Sequence, residues 1–495
     1  MTWNRRRTIW AIAVLLPIPI GLFAGHQNLF SPAEVQVIKD KYRVFERALV
    51  EREPDEETLE RVAIALSRRH GFFLRGKFEK SVDAIGEAWA ILQSREWNSE
   101  LRSSWSWNLL PPTRLLPVET LPGRLATLRR VAPRRQETHQ FPFLMRTLGD
   151  LDSEKPTVHS TLLWVPEAGS ELSFTVAPDL PEGSYWVEAK AIGVSSPGPM
   201  RVRFSVVESL QKRIASIEAA IAGAGSDQSE GLSSALASLE YALGFIQRET
   251  RGERTDYDGD LLDLLRDLET LAAEVKQGKD PYPETAGDSL REFAIEGGVR
   301  VPCRIYVPEM AAKGHSVPLL LALHGWWDDE HKFFEFNGAG ALKRLAEKQG
   351  LIVVCPRRKS IRAQGGRLVR LVDHLKKVYP AIDAKRVFVL GHSWGVRQAM
   401  EAAQLRPKMF AGLALLAGSG RSESLAAIPG VPVFLTCGGR DRGSLRGCRQ
   451  MAARAEKMGH GPFLYREVKS VGHVEIIWHQ ADEAVEWMLE QGSDR

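Results

Sequence analysis

Strand-like and helical stretches alternate along residues 290–495. Apolar or mostly apolar runs occur at Arg300 to Val307, Pro318 to Leu323, Leu351 to Cys355, Val387 to Leu390, Leu413 to Ala417, Val433 to Thr436 and Phe463 to Val468. Their length and continuity fit strands covered on both faces. Helical periodicity separates most of them, as at Gly340 to Lys348, Leu368 to Val378 and Leu445 to Lys457. This alternation predicts a mostly parallel sheet with helices on both faces.

The pattern changes upstream. Leu172, Phe174 and Val176 alternate with polar neighbours, as do Tyr185, Val187, Ala189 and Ala191, and then Val202, Phe204 and Val206. Period two with turns such as Pro181-Glu182-Gly183 predicts a small β-sandwich of antiparallel strands. Period 3.6 returns in three stripes: Leu210, Ile214, Ile217 and Ile221; Leu232, Leu236, Leu239, Leu243 and Ile246; Leu261, Leu265, Leu268, Ala272 and Val275. These predict a helical bundle or stalk over 208–277, and the prolines at 281 and 283 predict a linker over 278–289. Residues 26–96 read as helical. Ser31, Pro32 and Glu34 form a capping-box start, a second helix begins near Asp55, and a third follows Gly76. Gly76-Lys77-Phe78 with Ile85 and Ala88 is similar to part of a tetratricopeptide repeat, but a plain helical hairpin bundle accounts for it better. Within 97–207 the first part is broken by Pro111, Pro112, Pro117, Pro122, Pro133 and Pro142. Its arginines 124, 129, 130, 134 and 135 read as a solvated loop. Trp97, Trp105 and Trp107 suit packing better than stacking on sugar rings.

At 495 residues the chain is too long for one core, and a net charge of +4 gives nucleic-acid binding no support. Residues 1–25 differ from the rest. Arg5, Arg6 and Arg7 precede an apolar run from Ile9 to Ala24, the form of an export signal, with a loose twin-arginine likeness at Arg6-Arg7-Thr8-Ile9-Trp10. The run is short for a bilayer span and holds Pro17 and Pro19, which favours cleavage near Ala24 over an uncleaved anchor. A periplasmic or extracellular location is therefore expected, with membrane attachment only if the segment is retained. The four cysteines, 303, 355, 437 and 448, lack metal-ligand spacing, and no H-E-x-x-H or C-x-x-C occurs. No metal or cofactor is expected. In an oxidising compartment a Cys437–Cys448 disulfide is the first guess.

In parallel sheets, sites form at the carboxyl ends of the strands. Three such ends carry chemistry. Val387 to Leu390 runs into Gly391-His392-Ser393-Trp394-Gly395, a G-x-S-x-G pentapeptide followed by helix-forming sequence. Val433 to Thr436 leads to Asp441, and Phe463 to Val468 leads to Ser470-Val471-Gly472-His473. The order Ser393, Asp441, His473 and the turn His324-Gly325-Trp326-Trp327 resemble the α/β-hydrolase family over residues 290–490. Tyr379-Pro380-Ala381-Ile382-Asp383 is similar to the approach to the nucleophile in polyhydroxybutyrate-depolymerase-like and feruloyl-esterase-like members. Val396 departs from the family, where a second small residue follows the elbow.

The resemblance implies Ser393 as nucleophile, His473 as base and Asp441 as the acid that orients it. It also implies the backbone N–H groups of Trp326 and Trp394 as oxyanion donors. His460 and His479 are the rival bases, and Glu467 the rival acid. His324, Trp327 and His392 are candidates for a substrate pocket, although core packing accounts equally for Trp327 and His392 beside the nucleophile is more often a packing residue than a base. The expected protein is multidomain: a C-terminal α/β-hydrolase preceded by helical and β-sandwich regions. The expected activity is that of an exported serine hydrolase on small-molecule or polymer-linked carboxylic esters. A peptidase of the prolyl-oligopeptidase type and an inactive scaffold stay open. The N-terminal half offers surface for a protein or glycan partner.

Overall fold

Ser31 starts the first helix, α1 (Pro32–Arg52). Its Oγ accepts the Glu34 N–H at 3.2 Å, and the Glu34 carboxylate accepts the Ser31 N–H at 2.8 Å. This computed structural model describes residues 31–492 apart from 74, 111–112, 122–123, 131–140, 150–155, 167–170, 176–178, 195–197, 225–228, 254, 256, 326–328, 362–365 and 421. The expected export signal at 1–25 lies outside the described residues. Among them, no helix is long and apolar enough to cross a membrane.

Helices α2 (Glu56–Phe73) and α3 (Phe78–Leu92) share a core with α1, built from Phe45, Leu66, Ile85 and Trp89. A short helix, α4 (Ser99–Trp105), leads into the β region. Its strands are β1 (Trp107–Leu110), β2 (Leu115–Pro117), β3 (Arg124–Arg130), β4 (Phe143–Gly149), β5 (Thr157–Trp164), β6 (Leu172–Thr175), β7 (Gly183–Ala191) and β8 (Met200–Val207). They form a three-stranded sheet, β1-β3-β6, and a five-stranded sheet, β2-β8-β7-β4-β5, whose inner faces share Leu128, Phe143, Phe174, Val187 and Phe204. Arginines 124, 129 and 130 lie on β3 and not in a solvated loop. The Arg130 guanidinium donates to Ser103 Oγ at 2.7 Å and to Ser106 Oγ at 3.1 Å, so hydroxyls at the end of α4 carry a charge that the sequence pattern assigns to water. Arg134 and Arg135 fall outside the described residues. Trp105 and Trp107 are buried.

Helices α5 (Leu210–Ala222), α6 (Glu230–Thr250) and α7 (Leu261–Lys276) pack their apolar stripes into one core. Leu115 and Val207 of the sandwich and Leu290 of the next sheet join it, so the bundle is wedged between two layers. The expected linker holds one short turn and the start of a strand. After a 3-10 turn at Tyr282–Glu284, β9 (Gly287–Ile295) begins. The buried pair Arg291 and Glu292 breaks the apolar pattern there. Arg291 lies 3.6 Å over the Tyr282 ring, with Asp280 at 3.7 Å.

The second half is built on one sheet of strands β9, β10 (Val299–Val307), β11 (Val317–Leu323), β12 (Ile352–Pro356), β13 (Ile382–His392), β14 (Gly412–Leu416), β15 (Val433–Gly438) and β16 (Phe463–Val468). Among the described residues its order is β16-β15-β14-β13-β11-β12-β10-β9; β10 is antiparallel to both neighbours and the remaining pairs are parallel. Helices α9 (Gly366–Val378), α10 (Trp394–Leu405) and α11 (Leu445–Met458) cover one face, while α8 (Asn337–Gln349) and α12 (Ile476–Gly492) cover the other. Val387 to Leu390 are at most 1% exposed, and each such side chain contributes about 1.5–3 kcal/mol.

The N-terminal helices dock on the α8–α12 face. Ala63 of α2 joins the cluster of Ile476 and Ile477, while Phe336 and Trp478 enter the core of the helical unit. Glu46 Oε1 accepts the N–H groups of Asn337 at 2.6 Å and Gly338 at 3.3 Å. All four cysteines are free and buried, which corrects the expected Cys437–Cys448 disulfide. Cys437 Sγ donates to the Gly438 carbonyl at 3.7 Å, and both thiols lie in the apolar layer between β15 and α11, where cysteine packs as a small hydrophobe.

Candidate active site

Ser393 stands where β13 gives way to α10, with φ 54° and ψ −112°. An L-residue takes this conformation only when its surroundings enforce it, at a cost of about 1–3 kcal/mol. The Ser393 N–H donates to the Leu416 carbonyl on β14 at 2.8 Å, and its own carbonyl accepts the Val396 N–H at 3.2 Å. The side chain is thereby raised above the carboxyl end of the sheet at the first turn of a twelve-residue helix, the end at which N–H groups and the helix dipole favour negative charge. Val396, the departure from the family pattern, is fully buried. Its bulk is accommodated by Gly418, where a Cβ would come within 3.0 Å of the Val396 side chain.

The loops after β15 and β16 bring the other two groups in. Backbone bonds from Gly439 N–H to the Val468 carbonyl (2.8 Å) and from Arg440 N–H to the Val471 carbonyl (3.0 Å) tie these loops together. His473 then lies with Nε2 2.8 Å from Ser393 Oγ and Nδ1 2.7 Å from Asp441 Oδ2. Asp441 Oδ1 accepts the N–H groups of Gly443 and Ser444, each at 3.1 Å. Burial would raise the Asp441 carboxyl, but the hydrogen bond and charge of His473, with the Ser444 contacts, bring it down to about 2. An ionised carboxylate thus faces Nδ1, and the opposite nitrogen faces the serine hydroxyl. This arrangement can take a proton from the hydroxyl as its oxygen attacks an electrophile.

The rivals have other partners. Glu467 forms a bidentate pair with Arg449, at 2.6 and 2.8 Å. His460 meets the Ile428 carbonyl at 3.1 Å, and His479 lies within α12, where burial lowers its imidazole to about 4. Two candidates for the pocket are buried against backbone groups. His324 is buried: its Nδ1 meets the Gly325 carbonyl at 2.9 Å, and its Nε2 accepts the Arg358 N–H at 3.1 Å. It therefore pins the turn after β11 to the loop after β12. His392 is also buried, and its Nε2 donates to the His473 carbonyl at 2.9 Å. It braces His473 from behind. Trp394 is half-buried under the Arg397 guanidinium. Trp326 and Trp327 lie outside the described residues. Among those described, no group of three or more His, Cys, Asp or Glu side chains is arranged to hold a metal ion.

Ser444 and His70 were not legible as site residues. Neither left a signal: Ser444 meets Asp441 through its backbone N–H, which any residue but proline would offer. His70 arrives from α2 and stacks on His473, 4.8 Å between ring centres.

No protein-family model and no curated protein matches this sequence. Solved structures do. An S-formylglutathione hydrolase from Staphylococcus aureus is similar at 15% identity, over 41% of this chain and 98% of its own, with a TM-score of 0.35. A thermostable esterase is similar at 13% identity, over 78% of this chain and 99% of its own, with a TM-score of 0.38. A feruloyl esterase module from Clostridium thermocellum is similar at 14% identity, over 41% of this chain and 88% of its own, with a TM-score of 0.35.

Proposed function

We propose that this chain is a serine hydrolase of the α/β-hydrolase type that cleaves carboxylic esters through an acyl-serine. The observation that carries the reading is the hydrogen-bonded line Ser393–His473–Asp441, at 2.8 and 2.7 Å, above the carboxyl ends of β13, β15 and β16. His473 Nε2 takes the Ser393 proton while Oγ bonds to the ester carbonyl carbon. The resulting oxyanion is received by the Trp394 N–H at the start of α10 and, by the resemblance above, by that of Trp326. Losing one such donor costs about 10²–10³ in rate. The tetrahedral adduct then expels the alkoxide, which takes its proton from His473. Water enters by the reverse route, with His473 as base again, and releases the carboxylic acid. Asp441 holds the tautomer in which Nδ1 carries hydrogen and stabilises the imidazolium. The choice of an ester rests on the likeness of Tyr379-Pro380-Ala381-Ile382-Asp383 to the approach to the nucleophile in polyhydroxybutyrate-depolymerase-like and feruloyl-esterase-like enzymes. The basic and apolar run before Ala24 supports export.

A panel of p-nitrophenyl esters beside a panel of proline-containing peptides tests the reading. Ester turnover that Ser393→Ala abolishes is the expected result. Cleavage of peptides alone would replace the esterase by a peptidase, and inactivity on both would favour a scaffold.

A further inference from the structure

His70 belongs to the helical unit at the far end of the chain from His473, yet the two imidazoles lie face to face, 4.8 Å between centres and 28° between planes. The contact belongs to a wider grip. On α2, residues 63, 67 and 70 follow one another at helical spacing and share a face. Ala63 enters the apolar cluster of α12, and Ser67 stands so close to Gly472 that a Cβ there would meet the Ser67 Cβ at 3.0 Å. One turn earlier, Glu60 accepts a hydrogen bond from the Ser470 hydroxyl. The loop that carries His473 is therefore held by α2 on one side. His392, through its bond to the His473 carbonyl, holds it on the other.

The groups facing His473 come from five places. Asp441 comes from the loop after β15, Ser393 from the elbow and His392 from the end of β13; His70 comes from α2, where the neighbouring Arg69 charge acts on it, and Glu475 lies just before α12. His70 itself is pushed down to about 3, first by burial and then by the neighbouring His473 and Arg69. It meets the base as a neutral ring across the neutral pH range. A neutral π-face tolerates and attracts a cation above it, and a stacked ring removes rotational freedom from the one beneath.

We propose that His70 is a positioning residue for His473: it holds that imidazole in the orientation joining Asp441 to Ser393 and supports the charge the ring gains during turnover. This rests on the reading of Ser393 and His473 as nucleophile and base. The N-terminal helices are then part of the active site and not an appended module.

The test is the rate of covalent labelling by a fluorophosphonate between pH 5 and 9, with melting temperature, for the full chain and for H70A, H70F and H70R. H70A should label about 10- to 100-fold more slowly. H70F, which keeps a neutral ring, should recover most of the rate. H70R places a fixed positive charge by the base, so its acid limb should move to lower pH by about one unit or more. If H70A does not fold, H70F and H70R decide between them. Variants that match the wild type in rate and acid limb would overturn the proposal. So would losses that only track melting temperature with an unmoved limb, because they would make the contact simple docking. A folded wild type that takes no label would instead remove the hydrolase reading itself, and this proposal with it.

Discussion

Gly395 lies so close to the Leu323 carbonyl that a Cβ built on it would stand 2.1 Å from that oxygen. The start of α10 is thus pressed against the end of β11, two residues beyond Ser393. A backbone oxygen cannot rotate aside as a side chain can, so this approach sets the height of the serine above the sheet.

Gly395→Ala should therefore lift α10 off β11. The expected cost is about 1–3 kcal/mol of stability, as for other overpacked cores. Labelling at Ser393 should fall about 100-fold through misplacement of the hydroxyl. Thermal unfolding and fluorophosphonate labelling of the same preparation read both; an unchanged melting temperature would contradict the packing argument.

The Asp441 carboxyl is held at about 2 by His473 and Ser444 against the upward pull of burial. A carboxylate held below its ordinary value adds stability above about pH 4, and that stability is lost as pH falls from about 4 through 2. The wild type should exceed Asp441→Asn by about 2 kcal/mol at pH 7 and converge with it near pH 2. Urea unfolding at both pH values measures this. The same variant should lose about 10⁴ in turnover, because the tautomer of His473 is no longer held.

Glu46 shows the opposite sign. Burial raises its carboxyl to about 7, despite Lys332 and the amide groups of Asn337, Gly338 and Ala339. Stability from the protonated form is complete below about pH 4.5 and is lost as pH rises through about 7. Glu46→Gln keeps an acceptor for the Asn337 and Gly338 amides but cannot ionise. Relative to the wild type it should gain up to about 3 kcal/mol between pH 4.5 and pH 8. Unfolding curves at pH 5 and pH 8 that show the same difference would count against a docked, buried carboxyl.

The elements most legible in the sequence are those whose pattern is local. Val387 to Leu390, the elbow at 391–395 and the loops ending at Asp441 and His473 follow from short apolar runs and what comes directly after them. The strand β9 was hidden because Arg291 and Glu292 are buried where the pattern calls for apolar residues; the Tyr282 ring and Asp280 that compensate Arg291 lie outside the strand itself. Arg130 was misread for a similar reason: its partners, Ser103 and Ser106, lie on another element. Glu46 and His70 were illegible in a stronger sense. Each acts on a backbone loop or ring hundreds of residues away, and no periodicity within α1 or α2 encodes that distance.

Covalent capture of the nucleophile bears most heavily on all of this. The folded full chain is treated with a fluorophosphonate, digested, and mapped by mass spectrometry, alongside Ser393→Ala at an equal melting temperature. A single adduct on Ser393, absent from the variant, is the expected result. A folded wild type without an adduct, or with one that persists in Ser393→Ala, would contradict the reading of residues 393, 441 and 473 as one catalytic unit.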